Sequence, residues 1–398
     1  MARVRVPIAF TRIDRWLTGL IVLVIAAGAV LLWMSQMLVA PPRPRISDSK
    51  RPTIGLTLAD DRGRVRIVSA AGPARQAGLK DGDTITAIGE ETSPSVAAVT
   101  DRIQRAREGD AVRIEARRLG GGGAETGILA DVKVESRAIS PADAGIPFED
   151  VSFRNADGLT LRGWYLRPPA DVAGRAAAIA YGHGNATDRR HWLPVAGPVH
   201  DAGVAQLLFD FTGRGESDGE VISMGFHESR DLRAALDFLA ARPEVDPLRL
   251  ALGGRSMGAA AALFLAADDA RVKALVLDSP YADLTEVVDR ALASYSTPLL
   301  IFRPPLLAVA GWRAHYAPGS VRPIDAVRKI KAPILLFHGD KDATVPYSDA
   351  ARFKSLSAGP LTLVTLTGLD HNSTRPSDYA RRIAAFLTQT MPPTRRTP

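Results

Sequence analysis

The chain has 398 residues, room for more than one domain, and 46% of them are hydrophobic, enough for one large core and one small one. The net charge of +7 rests on scattered basic residues with small clusters near the ends (Arg3, Arg5, Arg12, Arg15; Arg395, Arg396). No aromatic-studded basic stripe accompanies them, so nucleic-acid binding is not expected, and the absence of cysteine excludes disulfides, thiolate metal sites and a cysteine nucleophile.

Residues 1–15 form a basic N-terminal segment, suited to anionic lipid headgroups. From Trp16 to Pro42 no residue is charged, and Leu17–Leu38 is nearly all apolar. About 20 such residues cross a bilayer as a helix, and Trp16 and Trp33 stand near the ends, as interfacial aromatics do. Leu38 and Pro41 around Ala40 make a poor signal-peptide cleavage site, so residues 16–40 are expected to be a transmembrane helix that is retained. Arginines flank this run on both sides and leave the positive-inside count tied. A short basic N terminus ahead of large domains favours a catalytic part outside the cytoplasm. Residues 41–51, rich in proline and charge, read as an extended linker.

Residues 52–138 read as a small β-rich module. Strands are expected at Ile54–Leu58, Val65–Ser69, Thr84–Ile88, Ala111–Ala116 and Ile128–Val134, with a helix over Val96–Ala106. The stretch from Pro73 through Ala77-Gly78-Leu79 and Gly82-Asp83 into the strand at Thr84 resembles the segment that marks bacterial PDZ domains. Ile54-Gly55-Leu56 is similar to the PDZ carboxylate-binding loop. The resemblance implies that a C-terminal peptide tail adds a strand to the sheet edge, its carboxylate held on backbone N–H groups. Gly55, lacking a side chain, would allow that approach.

From Phe148 onward strands and helices alternate, which implies a mostly parallel sheet with helices on both faces. Val151–Arg154 and Leu159–Leu166 read as an opening hairpin, and Ala176–Tyr181 as the first buried strand, ending in Gly182-His183-Gly184-Asn185. Ala205–Phe209 leads into Asp210-Phe211-Thr212-Gly213-Arg214-Gly215-Glu216-Ser217-Asp218-Gly219. A helix over Glu228–Ala241 follows, with Leu232, Ala235, Leu236 and Leu239 on one face. Leu248–Leu252 then enters Gly254-Arg255-Ser256-Met257-Gly258, and Ala259–Ala267 continues as a helix. A G-x-S-x-G at a strand–helix junction reads as a nucleophile elbow, whose turn lifts the serine hydroxyl out of the sheet. Strands at Lys273–Leu277, Pro333–Phe337 and Leu361–Leu366, then a helix over Tyr379–Leu387, complete the domain.

Residues 145–392 resemble the α/β-hydrolase superfamily, nearest to its membrane-associated serine hydrolases of the α/β-hydrolase-domain and Bem46-like kind. The resemblance rests on His183-Gly184-Asn185, the glycine pattern from Asp210 to Gly219, the elbow, His338-Gly339-Asp340-Lys341-Asp342-Ala343-Thr344-Val345-Pro346, and Gly368…His371. It departs at Thr212, where the family usually has arginine. It implies Ser256 as nucleophile, His371 as base and Asp342 as acid, with Asp340 and Asp278 as rival acids. The backbone N–H groups of Asn185 and Met257 would form the oxyanion hole. Asp210 and Ser217 would brace the surrounding loops. No metal site and no cofactor are expected.

The run Leu299–Ala310 is apolar but broken by Arg303, Pro304 and Pro305, and reads as a cap over the site or as ordinary core. The reading is thus a membrane-anchored serine hydrolase acting on an ester or thioester, with a small-molecule or lipid-linked acyl substrate. A serine peptidase of the same fold and an inert membrane-tethered PDZ scaffold are the alternatives.

Overall fold

The computed structural model describes residues 28–43 and 50–393, apart from 54–55, 62, 71, 107–108, 121–122, 139 and 296. Residues 28–39 form helix α1. Among the described residues no helix is long and apolar enough to cross a membrane. Most of the expected span, residues 16–27, lies outside the described residues, as do Ile54 and Gly55 of the expected carboxylate loop.

The small module consists of β1 (Lys50–Thr53), β2 (Leu56–Asp61), β3 (Arg64–Ala70), α2 (Gly72–Gln76), β4 (Thr84–Ile88), β5 (Glu91–Thr92), α3 (Val96–Gln104), β6 (Ala111–Leu119), β7 (Glu125–Lys133) and β8 (Glu135–Ala138). Its main sheet is antiparallel in the order β2-β3-β4-β6-β7, with β5 on β4, while β1 pairs with β8. Alternation along β6 buries Val112, Ile114 and Ala116 and leaves the residues between them outside. The Ser95 hydroxyl accepts from Ala98 N–H at 3.1 Å and starts α3, which buries Val99 and Ile103 on the same core. Within this sheet β2 is an edge.

The large domain runs β9 (Glu149–Arg154), β10 (Thr160–Leu166), β11 (Ala176–Gly182), α4 (Leu193–Asp201), β12 (Ala205–Phe209), α5 (Glu228–Ala240), β13 (Val245–Arg255) and α6 (Met257–Asp268). It continues through β14 (Val272–Asp278), α7 (Leu284–Tyr295), α8 (Arg303–Ala314), α9 (Pro323–Ala326), β15 (Ile334–Gly339), α10 (Tyr347–Leu356), β16 (Leu361–Leu366) and α11 (Tyr379–Thr390). The sheet order is β16-β15-β14-β13-β11-β12-β10-β9, parallel from β16 to β12 and antiparallel in the opening hairpin. β11 (Ala-Ala-Ala-Ile-Ala-Tyr-Gly) is buried along its whole length, as a central strand covered on both faces must be. One core packs the sheet against α5, α6 and α10, and a second packs it against α4 and α11. β13, near the centre, aims its C-terminal end at the turn that carries Ser256.

Helix α1 is fastened to this domain. Val39 is buried with Ala310 and Ala314 of α8, and its carbonyl accepts from Ile222 N–H at 2.6 Å. The Arg43 guanidinium donates to the Gly215 carbonyl at 2.8 Å and also reaches the Ser217 carbonyl, while Arg214 donates back to the Pro42 carbonyl at 2.9 Å. The start of the expected linker is therefore bound to the glycine-rich loop after β12.

Candidate active site

Ser256 sits between β13 and α6 with φ 49° and ψ −114°, a conformation that L-residues rarely adopt and that costs about 1–3 kcal/mol. The surroundings enforce it. Ser256 N–H donates to the Asp278 carbonyl at 2.9 Å. A Cβ on Gly254 would lie 2.3 Å from the Gly258 carbonyl oxygen, and one on Gly258 2.2 Å from that of Gly182. Helix and sheet therefore approach closely only if both positions are glycine.

His371 follows β16 in a loop that returns to the C-terminal ends of the strands. Its Nε2 lies 3.2 Å from Ser256 Oγ and its Nδ1 2.7 Å from Asp342 Oδ2. Asp342 follows β15, and its other oxygen accepts from the N–H groups of Thr344 (2.9 Å) and Val345 (2.7 Å). Burial would raise this carboxyl, but the bond and charge of His371, with the Val345 N–H, hold it below the ordinary carboxylate range. With Nδ1–H donated to Asp342, the Nε2 lone pair faces the serine hydroxyl. That arrangement can remove the hydroxyl proton as oxygen attacks.

A model of the prolyl oligopeptidase family matches residues 222–392, and a PDZ domain model matches residues 52–134. An uncharacterized protein of Mycobacterium tuberculosis is 34% identical over 244 residues, covering 61% of this chain and 79% of the relative. The α/β-hydrolase domain-containing protein WAV2 of Arabidopsis thaliana is 27% identical over 219 residues, covering 53% and 67%. An esterase of Pyrococcus furiosus shares the fold at TM-score 0.53 and 23% identity, over 64% of this chain and 95% of the esterase. The chain is a serine hydrolase with the α/β-hydrolase fold.

Within the hydrolase the two rival acids have other partners. Asp340 accepts from Gly368 N–H at 2.6 Å and braces the turn before His371. Asp278 is engaged by Arg375 through both oxygens at 2.7 Å, by the Tyr379 hydroxyl at 2.9 Å and by Ser279 Oγ at 2.9 Å. Burial would raise the Asp278 carboxyl, but Arg375, with Arg255 behind it, holds it low. Both arginines also donate to the His371 carbonyl, Arg375 at 3.3 Å and Arg255 closer. The two half-buried arginines thus grip the backbone of the candidate base. Arg375 belongs to no motif, and nothing in the sequence pointed to it.

Met257 is the first residue of α6, so its N–H has no partner within the helix. Asn185 follows Gly184, whose Cα carries no side chain into the space beside Ser256. The loop is braced by His183, which is fully buried; Nδ1 donates to the Gly184 carbonyl at 2.8 Å and Nε2 accepts from Phe211 N–H at 3.1 Å. Burial pushes this histidine down to about 4, against the pull of the Gly184 carbonyl, so the ring stays neutral and keeps its acceptor. Ser217 Oγ donates to the Asp210 carbonyl at 2.6 Å and accepts from Arg162 N–H at 2.9 Å, a bracing position. Thr212 replaces the family arginine with a different contact: its N–H (2.8 Å) and hydroxyl (3.1 Å) donate to Asp231 of α5.

Of the expected carboxylate loop only Leu56 is described, half-buried at the start of the edge strand β2. Among the described residues no cluster of histidines and carboxylates could hold a metal ion.

Proposed function

We propose that this serine hydrolase is anchored to a membrane and cleaves an ester or thioester through an acyl-enzyme. The observation that carries the acyl-enzyme chemistry is the unbroken relay Ser256–His371–Asp342, at 3.2 and 2.7 Å, set on a strained elbow; the anchor rests on the uncharged run Trp16–Pro42. Ser256 Oγ bonds to the substrate carbonyl carbon while its proton passes to His371 Nε2. The resulting oxyanion is met by the N–H groups of Met257 and Asn185. His371 returns the proton to the departing alcohol or thiol as its bond to carbon breaks. Water then repeats the sequence: its proton goes to Nε2, its oxygen to the acyl carbon, and Ser256 leaves with the proton. Asp342 holds the imidazole tautomer and stabilises its positive form.

A serine peptidase is the second reading, favoured by the prolyl oligopeptidase family match over residues 222–392. Acyl esters of graded chain length, set beside peptide amides, separate the two. Turnover of esters with little on amides is expected; the reverse would favour the peptidase.

We place the catalytic part outside the cytoplasm and give the PDZ-like module a C-terminal peptide tail as partner, lying along the β2 edge. Replacement of Gly55 by a bulky residue should abolish tail-peptide binding in fluorescence polarisation, and unchanged affinity would count against this partner.

A further inference from the structure

A cavity of about 580 Å³ lies between α1 and the helices α7 and α8, within the ~300–1,000 Å³ range of small-molecule sites. One wall is the face of α1 that carries Val30, Trp33 and Met37; Leu292, Tyr295 and Leu306 stand opposite. Every lining side chain is apolar or aromatic. Such a lining has little with which to recognise a charged ligand; it selects by removing hydrocarbon from water. Trp33, Tyr295, Ile301 and Trp312, on the same helices and the turn joining them, are 64–85% exposed. Large side chains left in water in such number mark a surface built for another apolar phase.

The wall itself names that phase. Helix α1 is the C-terminal part of the uncharged run Trp16–Pro42, and the residues before it in the sequence, Leu17 to Ala27, are nearly all apolar. A run of ~20 such residues matches a bilayer core. The cavity therefore begins on the helix that would enter the lipid, and tryptophan and tyrosine beside it are the aromatics that favour the interface. Arg313 of α8 donates to Ser35 Oγ of α1 at 2.9 Å and to the Gln36 side chain, so the two walls are joined. The far end of α1 touches the catalytic half through Val39 and Ile222. Two residues on, Met224 Sδ lies 4.0 Å from the Asn185 side chain. One short segment, 222–224, thus touches both the end of α1 just beyond the cavity and the expected oxyanion loop.

We infer that this cavity holds the hydrocarbon chain of a bilayer lipid ester, with the anchor helix as one wall, so that the enzyme draws its acyl substrate from the membrane that holds it. The inference rests on the serine-hydrolase reading for its chemistry and adds the acyl-binding site. Anchor and substrate site are then one structure: without α1 the cavity loses a wall.

The test uses the full chain in phosphatidylcholine nanodiscs doped with a phosphatidylcholine whose acyl chain carries a photoreactive diazirine. Ala291 lines the cavity and is exposed, so Ala291→Trp fills the space without disturbing the buried core; Val288→Phe is a second filling variant should the first fail to fold. Cross-links are expected on α1, α7 and α8 in wild type and should be lost in the filled variants. Hydrolysis of p-nitrophenyl palmitate should fall roughly tenfold or more relative to the butyrate ester, the scale on which apolar pockets discriminate methylenes. Equal effects on both esters, or undiminished cross-linking, would overturn the inference. So would dimers in wild type that the filled variants dissolve, since a second copy would then be the occupant. Fluorophosphonate labelling of Ser256, run in parallel, keeps the two readings apart. A labelled enzyme without chain-length discrimination sinks only the acyl site, whereas an unlabelled wild type sinks the hydrolase reading and the acyl site with it.

Discussion

At Asp342 burial and charge oppose each other. Being sunk among the loops after β15 would protonate the carboxyl, and the His371 ring with two backbone N–H groups keeps it ionised. Asp342→Asn preserves the shape but offers His371 no charge and favours the wrong tautomer. Ester turnover should fall by about 10³–10⁴-fold with the melting temperature little changed, as steady-state kinetics beside calorimetry can check. Asp278 poses the complementary case, a buried carboxylate whose role is structural. Arg375→Met removes its bidentate ion-pair partner, a change that costs on the order of 3–5 kcal/mol. Because Asp278 is held below its ordinary value, its contribution is present above the carboxylate range and lost as pH falls through the depressed value. The deficit of Arg375→Met should thus be widest near neutrality and narrow below about pH 4, as urea titrations at the two pH values can measure. A deficit independent of pH would contradict the pairing. Ser256 and His371 could be read from the sequence because fold and chain order dictate where they stand. Arg375 and Arg255 could not: an arginine that meets a carboxylate 97 residues away leaves no local pattern.

The elbow is a statement about two elements at contact distance. Gly258→Ala would drive a methyl into the Gly182 carbonyl, and overpacking of this kind costs about 1–3 kcal/mol. We expect a lower melting temperature together with lost activity; wild-type values for both would contradict the close approach. A second joint ties α5 to the glycine-rich loop through Asp231, where burial pushes the carboxyl up to about 7 despite the donors Asn155 and Thr212. Its folded value lies above its unfolded one, so its stabilising share is full in acid and lost as pH rises through about 7. Asp231→Asn should flatten the fall in melting temperature between pH 5 and pH 8. Elements bounded by turn residues and regular in period were legible to the residue, as with Thr84–Ile88, Ala205–Phe209 and Leu361–Leu366. The pairing of β1 with β8 was not, because it joins strands more than 80 residues apart across a proline. Helix α8 was hidden within an apolar run whose prolines read as breakers, yet Pro304 and Pro305 sit in its first turn, where a missing N–H costs nothing.

At the scale of the molecule, three parts can be told apart. The small module offers an edge strand, the large domain carries the relay, and the segment through Val39 and Arg43 ties α1 to the loop after β12. Both folds were legible, since each is built from motifs in fixed order; the docking of α1 was not, because a uniformly apolar run does not say which side meets protein. The whole account depends on a single serine being made nucleophilic by a single histidine. A fluorophosphonate probe, with the labelled residue mapped by mass spectrometry, tests that directly. The account predicts label on Ser256 in wild type and none in Ser256→Ala or His371→Ala. Label persisting in folded Ser256→Ala, or a wild type that takes up none, would contradict it.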